Sequence, residues 1–302
     1  MLSGFIDTLP GAAAQGIIWG IMAIGVYITY RILDFADLTV DGSIGTGGAV
    51  FAMCTISGMN IYVSLVIAFI AGCIAGLATG IFHTVFGIPP ILAGILTQLA
   101  LYSVNLDIMG QSNQALNSSK YSFLVNMLYT KKSILVGLAF VAAIIAILYW
   151  FFGTELGHSI RATGNNQNMA RANGINTNVN KIIALVISNG IVALSGALLA
   201  QFQGFADINM GRGAIVIGLA AVIIGEVIFG KLFKNFALKL FAAVIGGVIY
   251  YIVISLVISL GLPANDLKLF SAIVVALFLG VPYWKSKVIR KKIKPQGGAA
   301  NA

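Results

Sequence analysis

Apolar stretches of about twenty residues recur along this chain with little between them, and that spacing decides the solvent it folds in. A helix rising ~1.5 Å per residue needs about twenty such residues to cross ~30 Å of hydrocarbon. Backbone polar groups inside lipid must be satisfied within the segment itself, which favours helices here over open strands. Nine segments fit: Ala12 to Leu33, Ser43 to Ser57, Ile61 to Phe82, Pro90 to Val104, Ile134 to Phe152, Ile182 to Phe202, Ala214 to Phe229, Leu240 to Leu260 and Leu269 to Trp284. The second, fourth, seventh and ninth are short or interrupted by Gly or Pro, the pattern of tilted, broken or re-entrant helices. The expected fold is all-α and polytopic, with about nine transmembrane or broken segments in one membrane domain over residues 1–302.

Composition agrees. Of 302 residues 59% are hydrophobic and 9% charged, against about 25% charged in soluble domains. The start of the chain lacks a basic region ahead of its first apolar segment, so a cleaved secretory signal is not expected. Cys54 and Cys73 lie in apolar surroundings without metal-ligand or disulfide spacing, and His83 and His158 stand far apart, so no metal site is expected. The net charge of +9 is carried at segment ends, which reads as membrane topology and not as a nucleic-acid surface. With the basic tail 285–302 in the cytoplasm, 13 of the 18 Lys and Arg fall inside; Lys120, Lys131, Lys132, Arg212 and Lys268 fall outside. The N-terminus is then outside and the polar loop 153–180 inside.

That loop is the largest break in apolar character. Within it Asn168-Met-Ala-Arg-Ala-Asn-Gly-Ile175 has the composition of a short helix stopped at Gly174, presenting Ala170 and Ala172 beside the cation Arg171. A plain connector and a docking helix for a soluble partner are both consistent with it.

Other polar positions in apolar surroundings carry paired readings. Asp37 and Asp41, near Ser43, either cap the entry of the second segment or meet substrate. Thr97 and Gln98, after Pro89 and Pro90, either bond between helices or line a conduit. Glu226 either lines a pathway or anchors helices, or lies close enough to the inner interface to reach Lys231 or water. The lead Asp37 to Gly48 echoes Asp207 to Gly218: both are acidic, Gly-rich entries to short segments, as in an inverted repeat. Gly16-x-x-x-Gly20 and Gly72-x-x-x-Gly76-x-x-x-Gly80 are close-packing faces. Gly225 to Lys231 matches part of a phosphate-binding loop but continues with Leu232 where Ser or Thr is needed, so a nucleotide site in this chain is not expected. No covalent-catalysis constellation is legible, and the chain does not read as an enzyme.

Asp37-Leu-Thr-Val-Asp-Gly-Ser43, Ile88-Pro-Pro-Ile-Leu92 and, most specifically, Arg161-Ala-Thr-Gly-Asn-Asn-Gln-Asn-Met-Ala-Arg-Ala-Asn-Gly-Ile175 together resemble the permease subunit of ABC importers of the branched-chain amino acid and ribose type. The wording Arg31-Ile-Leu-Asp-Phe-Ala-Asp-Leu-Thr-Val-Asp-Gly42 is similar to a subgroup associated with tryptophan or tyrosine uptake, while Glu226 departs from the usual Gly-Gly ending and leaves the substrate open. The resemblance implies a bacterial plasma-membrane importer: a permease homodimer, two ABC ATPase subunits that bind ATP and Mg, and an extracellular substrate-binding protein. It makes Gly164, Asn168, Ala170, Arg171, Ala172, Gly174 and Ile175 the ATPase-coupling residues. It leaves Asp37, Asp41, Ser43, Thr97, Gln98, Asp207 and Glu226 as pathway or structural polar positions. An ion-coupled secondary transporter or channel is the competing function.

Overall fold

The computed structural model describes residues 2–117 and 121–259, with side chains from Thr8 onward, and eight further positions between 269 and 280. The expected ninth segment and the basic tail fall largely or wholly outside the described residues. The helices are α1 (Leu2–Tyr27), α2 (Thr39–Ile56), α3 (Ile61–Thr84), α4 (Pro90–Met109), α5 (Thr130–Phe151), α6 (Glu155–Asn165), α7 (Gln167–Ala172), α8 (Thr177–Gln203), α9 (Ala214–Phe229) and α10 (Phe236–Ser259). Two three-residue strands, β1 (Asn113–Ala115) and β2 (Phe205–Asp207), pair antiparallel with Asn113 opposite Asp207. The expected segments Ala12 to Phe229 and Leu240 to Leu260 each correspond to a helix. Ends differ by a few residues where caps extend a helix past its apolar run, as Asn176 does for α8 by accepting from the backbone N–H of Asn178 and Val179.

Among the described residues six helices are long and apolar enough to span a membrane, one of them counted from Thr8 through Ile32, and α9 is a shorter apolar helix. α2 is nearly all buried yet too rich in Gly, Ser and Thr to count by hydropathy. α1 and α8 form the centre, 83% and 72% buried over their spans, whereas the α5 span is 22% buried and keeps an apolar outer face for lipid.

Helix directions follow from cross-contacts. Ser195 Oγ donates to the Ile18 carbonyl and Ser188 Oγ to the Gly25 carbonyl, so α1 and α8 are antiparallel. Gly16 lies against Val248 and Gly20 against Val244, so α10 also runs against α1. The chain start and the loop 153–180 therefore occupy opposite ends of the bundle, with Gly164 packed on the backbone at Ile32.

Glycines set how closely the helices approach. Gly72, Gly76 and Gly80 of α3 lie on α8 at Asn189 and Ala193, at Leu185, and at Ile182. Gly47 of α2 faces the Ala193 carbonyl oxygen so closely that a Cβ has no room. Gly47→Val is expected to destabilise the bundle by about 3 kcal/mol or more, because the obstruction is backbone and cannot rotate away. Thermal unfolding in detergent checks this, with Gly11→Ala as the neutral control, since a Cβ there meets nothing within 4 Å.

Candidate transport site and coupling surface

The chain leaves α1 through a π-helical turn, Ile28–Ile32, and an irregular stretch that brings Asp37 into the bundle, where it is 2% exposed. Its Oδ1 accepts from the Thr39 backbone N–H (2.9 Å) at the start of α2, and its Oδ2 accepts from Asn189 Nδ2 (2.7 Å) on α8. Asn189 Oδ1 in turn accepts from Ser43 Oγ (2.6 Å). Beside this set the hydroxyls of Thr39, Thr79 and Thr97 form a chain, with oxygens 2.6 and 2.8 Å apart. Asp37 thus caps the entry of α2, and Thr97 bonds between helices; each polar group has a partner, which burial demands.

Asp41 takes a different position from its expected capping role. Its two oxygens accept from the backbone N–H groups of Gly213 and Ile215, both at 2.8 Å, so it caps α9 and not its own helix. A carboxylate at a helix start also offsets the positive end of the helix dipole. The two acidic leads identified as an echo therefore meet: Gly211 lies against Asp41 and Gly48 against Met210. They arrive from opposite ends of the bundle, because α2 runs alongside α8 and α9 runs alongside α1.

Next to this junction a cavity of about 280 Å³ opens between α2, α4 and the turn before α9, lined by Asp41, Gln98, Tyr102, Asn105, Asn209 and Arg212 among others. Thr97 and Gln98 separate here, since neighbours on a helix point ~100° apart: Thr97 turns inward to Thr79 and Gln98 faces the cavity. Asp207 lies outside the cavity lining, accepting from the Asn209 backbone N–H and from Asn113 Nδ2 across the strand pair.

At the other end, Glu226 pairs with Arg31 (Nε to Oε1, 2.8 Å) and so ties α9 to the end of α1; Lys231, named beforehand, is not its partner. Arg31 borders a second cavity, of about 670 Å³, with Arg161, Lys234 and Lys239. The Arg161 guanidinium lies 4.3 Å from the Phe236 ring centroid.

The loop 153–180 is folded. α6 is capped by Thr154 and bonded to α8 through Ser159 and Thr163, both linked to Asn180. α7 starts at Asn166, whose side chain accepts from the Met169 backbone N–H, and runs over Gln167–Ala172 where Asn168 to Gly174 had been expected. Ile175 N–H donates to the Ala170 carbonyl and Gly174 N–H to that of Arg171, the paired bonds of a Schellman stop, with Gly174 at φ +78°. That closure buries Ala170, so of the two alanines only Ala172 is presented; Asn168, Met169, Ala172 and Arg171 are exposed and Ile175 is half-buried. Gly164 is a packing position, not an exposed contact. Arg171 Nε donates to Thr177 Oγ1 (3.0 Å) at the start of α8.

Residues 9–282 match the family model described as the branched-chain amino acid transport system permease component. The chain belongs to this family. It is similar to the tyrosine transport system permease protein of Clostridioides difficile, with 43% identity covering 92% of this chain and 91% of that protein. It is also similar to the galactofuranose transporter permease of Escherichia coli, at 26% identity over 91% and 78% of the two chains. Among solved structures, a chain of PsaBC from Streptococcus pneumoniae, determined in complex with a Fab, shares the fold with a TM-score of 0.52 and 16% identity, covering 92% and 95%. The protein is therefore a multi-pass cell-membrane permease component of an ABC importer and not itself an enzyme.

Asn189, Asn105, Arg31 and Arg212 were not singled out from sequence as functional. Asn189 carried a signal, being an amide within the expected segment Ile182 to Phe202, and Asn105 directly follows the expected segment ending at Val104; Arg212 had been assigned to topology alone and Arg31 to topology and the subgroup wording. Replacing Asp41 by Leu is expected to cost about 1–2 kcal/mol from the lost cap, read as a lower melting temperature, whereas Glu226→Gln should change stability by under ~1 kcal/mol because its ion pair is partly solvated.

Proposed function

We propose that this permease imports an amino acid, an aromatic one such as tyrosine being favoured, as a homodimer working with two ATPase subunits and an extracellular binding protein. ATP and Mg belong to the ATPase subunits. The observation that carries the reading is the folded α6–α7 unit, which holds Met169, Ala172 and Arg171 exposed at the end of the bundle opposite the chain start. A connector has no need of a capped, glycine-stopped helix tied by side chains to α8; a surface that receives force does. The substrate class is supported by the 43% identity to a permease named for tyrosine transport.

In this reading, closure of the ATPases on ATP moves α7, and the Arg171–Thr177 and Ser159–Asn180 bonds carry that displacement into α8. Because α8 packs on α1, α2 and α3, a shift at its cytoplasmic end moves the helices around the buried Asp37–Asn189–Ser43 set together. Substrate delivery from outside depends on the binding protein.

Arg171→Glu is expected to lower ATP-driven uptake at least tenfold with normal membrane insertion, by opposing charge at the docking surface and removing the bond to Thr177. Parent-like uptake and ATPase stimulation would make the loop a connector. Reconstitution in liposomes with the ATPase and a loaded binding protein tests the whole reading. Accumulation of tyrosine that requires both ATP and the binding protein is expected; accumulation driven by a sodium or proton gradient with neither partner overturns it.

A further inference from the structure

We propose that the cavity of about 670 Å³ where the end of α1, α6 and the start of α10 meet is a binding site for a phosphate group, carried by an anionic lipid headgroup of the inner leaflet or by free phosphate in the cytoplasm. The site goes beyond the importer reading and does not depend on which solute is moved.

Four cations line this space from parts of the chain far apart: Arg31 follows α1, Arg161 is on α6, Lys234 precedes α10 and Lys239 lies in its first turn. Membrane topology asks only that such residues lie on the inner side, not that they converge. Gathering them costs repulsion unless a counter-charge is present. Acids of the chain supply part of it. Asp34 lines the wall and Glu226 accepts from Arg31 Nε, which offsets two of the four formal charges. Arg161, Lys234 and Lys239 make no ion pair among the described residues. The tail 285–302 contains no Asp or Glu, so its side chains offer no further counter-charge.

The donors are held in place. Arg161 is half-buried, and its guanidinium lies 4.3 Å from the Phe236 ring centroid and 5.3 Å from that of Phe152, which fixes the charged head at the cavity wall. Arg31 bonds Glu226 through Nε, leaving its terminal nitrogens without a hydrogen bond among the described residues. Donors that come from separate walls suit a phosphate, whose oxygens point several ways, better than a carboxylate with two oxygens in one plane. The two charges left over match a phosphate monoester, at about −1.5 to −2 near neutral pH, or a headgroup with two phosphodiesters. Basic pockets between membrane helices on the cytoplasmic side hold such headgroups, and Tyr27 and Tyr30 on the same wall are of the type that sits at headgroup level. A phosphate bound here joins α6, the first half of the α6–α7 unit, to both α1 and α10.

Two measurements on the detergent-solubilised permease–ATPase complex test the site and separate the two sources. Native mass spectrometry counts bound cardiolipin against phosphatidylcholine, and thermal unfolding is followed in inorganic phosphate against chloride at equal ionic strength. Saturable retention of cardiolipin over phosphatidylcholine assigns a lipid headgroup; a melting temperature raised by phosphate beyond chloride assigns free phosphate. Lys234→Gln and Lys239→Gln are each expected to weaken whichever binding is seen about fivefold. All three lysines tested are exposed, so the variants are expected to fold as the parent does. Lys231→Gln removes the same charge from the same connection but lies outside the cavity lining, and is expected to leave binding unchanged. Three results would each overturn the proposal. One is the absence of both signals in the parent. Another is an equal loss in Lys231→Gln, which means diffuse attraction and no site. The last is a parent that binds neither probe while Lys234→Gln or Lys239→Gln loses the ATPase on purification, which makes the cavity a protein-docking surface. Neither readout involves transport, so failure here leaves the importer reading standing, and failure of ATP-driven uptake leaves this site standing.

Discussion

Two helices of this bundle begin inside protein that lipid surrounds, and their unpaired backbone N–H groups have to find acceptors there. Water is scarce at that depth, so the acceptors are side chains of the same chain. Asp37 serves the start of α2 and Asp41 the start of α9. The second of these joins two parts of the sequence more than 170 residues apart. It is the contact through which the two Gly-rich leads hold one another, and the cavity lies beside it for that reason: helices that start partway leave space that full crossings would fill.

Close approach to α8 is the other condition. Gly72, Gly76 and Gly47 bring α3 and α2 against its backbone, and at that separation Asn189 reaches both Asp37 and Ser43. A wider spacing would leave a buried carboxylate without its amide donor, which is far more costly than the packing loss alone. Steric and polar terms therefore act together: the glycines set the distance, and the hydrogen bonds make that distance the one that persists.

The helical layout was legible in the sequence because lipid imposes a simple length rule, and the Gly-x-x-x-Gly faces were legible because close backbone approach needs small residues. The partnership of Asp41 with α9 was not, because capping was read as local and the acceptor here serves a helix distant in the chain. Glu226 shows the same limit: Lys231 is near in sequence and Arg31 is the partner in space. For α7 the composition gave the stop at Gly174, yet the burial of Ala170 follows from the Ile175 bond that folds the chain back, which depends on the closure geometry. The loop's attachment to α8 rests on Asn180, an amide that composition had counted only as part of a polar stretch.

α9 gives these separate sites a common frame. Its first turn is held by Asp41 beside the cavity, and its last turn by Arg31 at the end of α1. The fourteen residues from Gly213 to Glu226 span ~20 Å of helix, a rigid length. Arg31 borders the basic cavity together with Arg161 of α6, and α6 is bonded to α8, on which α7 leans. Displacement of α7 thus has two contiguous routes toward the Asp41 junction, one along α8 and one through α6, α1 and α9. The first enters through half-buried bonds and ends in the buried Asn189 bonds to Ser43 and Asp37, while the second includes a partly solvated ion pair, so the stiffer connection is α8. An arrangement with one stiff and one yielding route lets the two sides of the cavity move relative to one another when the cytoplasmic face is driven, which a bundle of uniformly packed full crossings would resist.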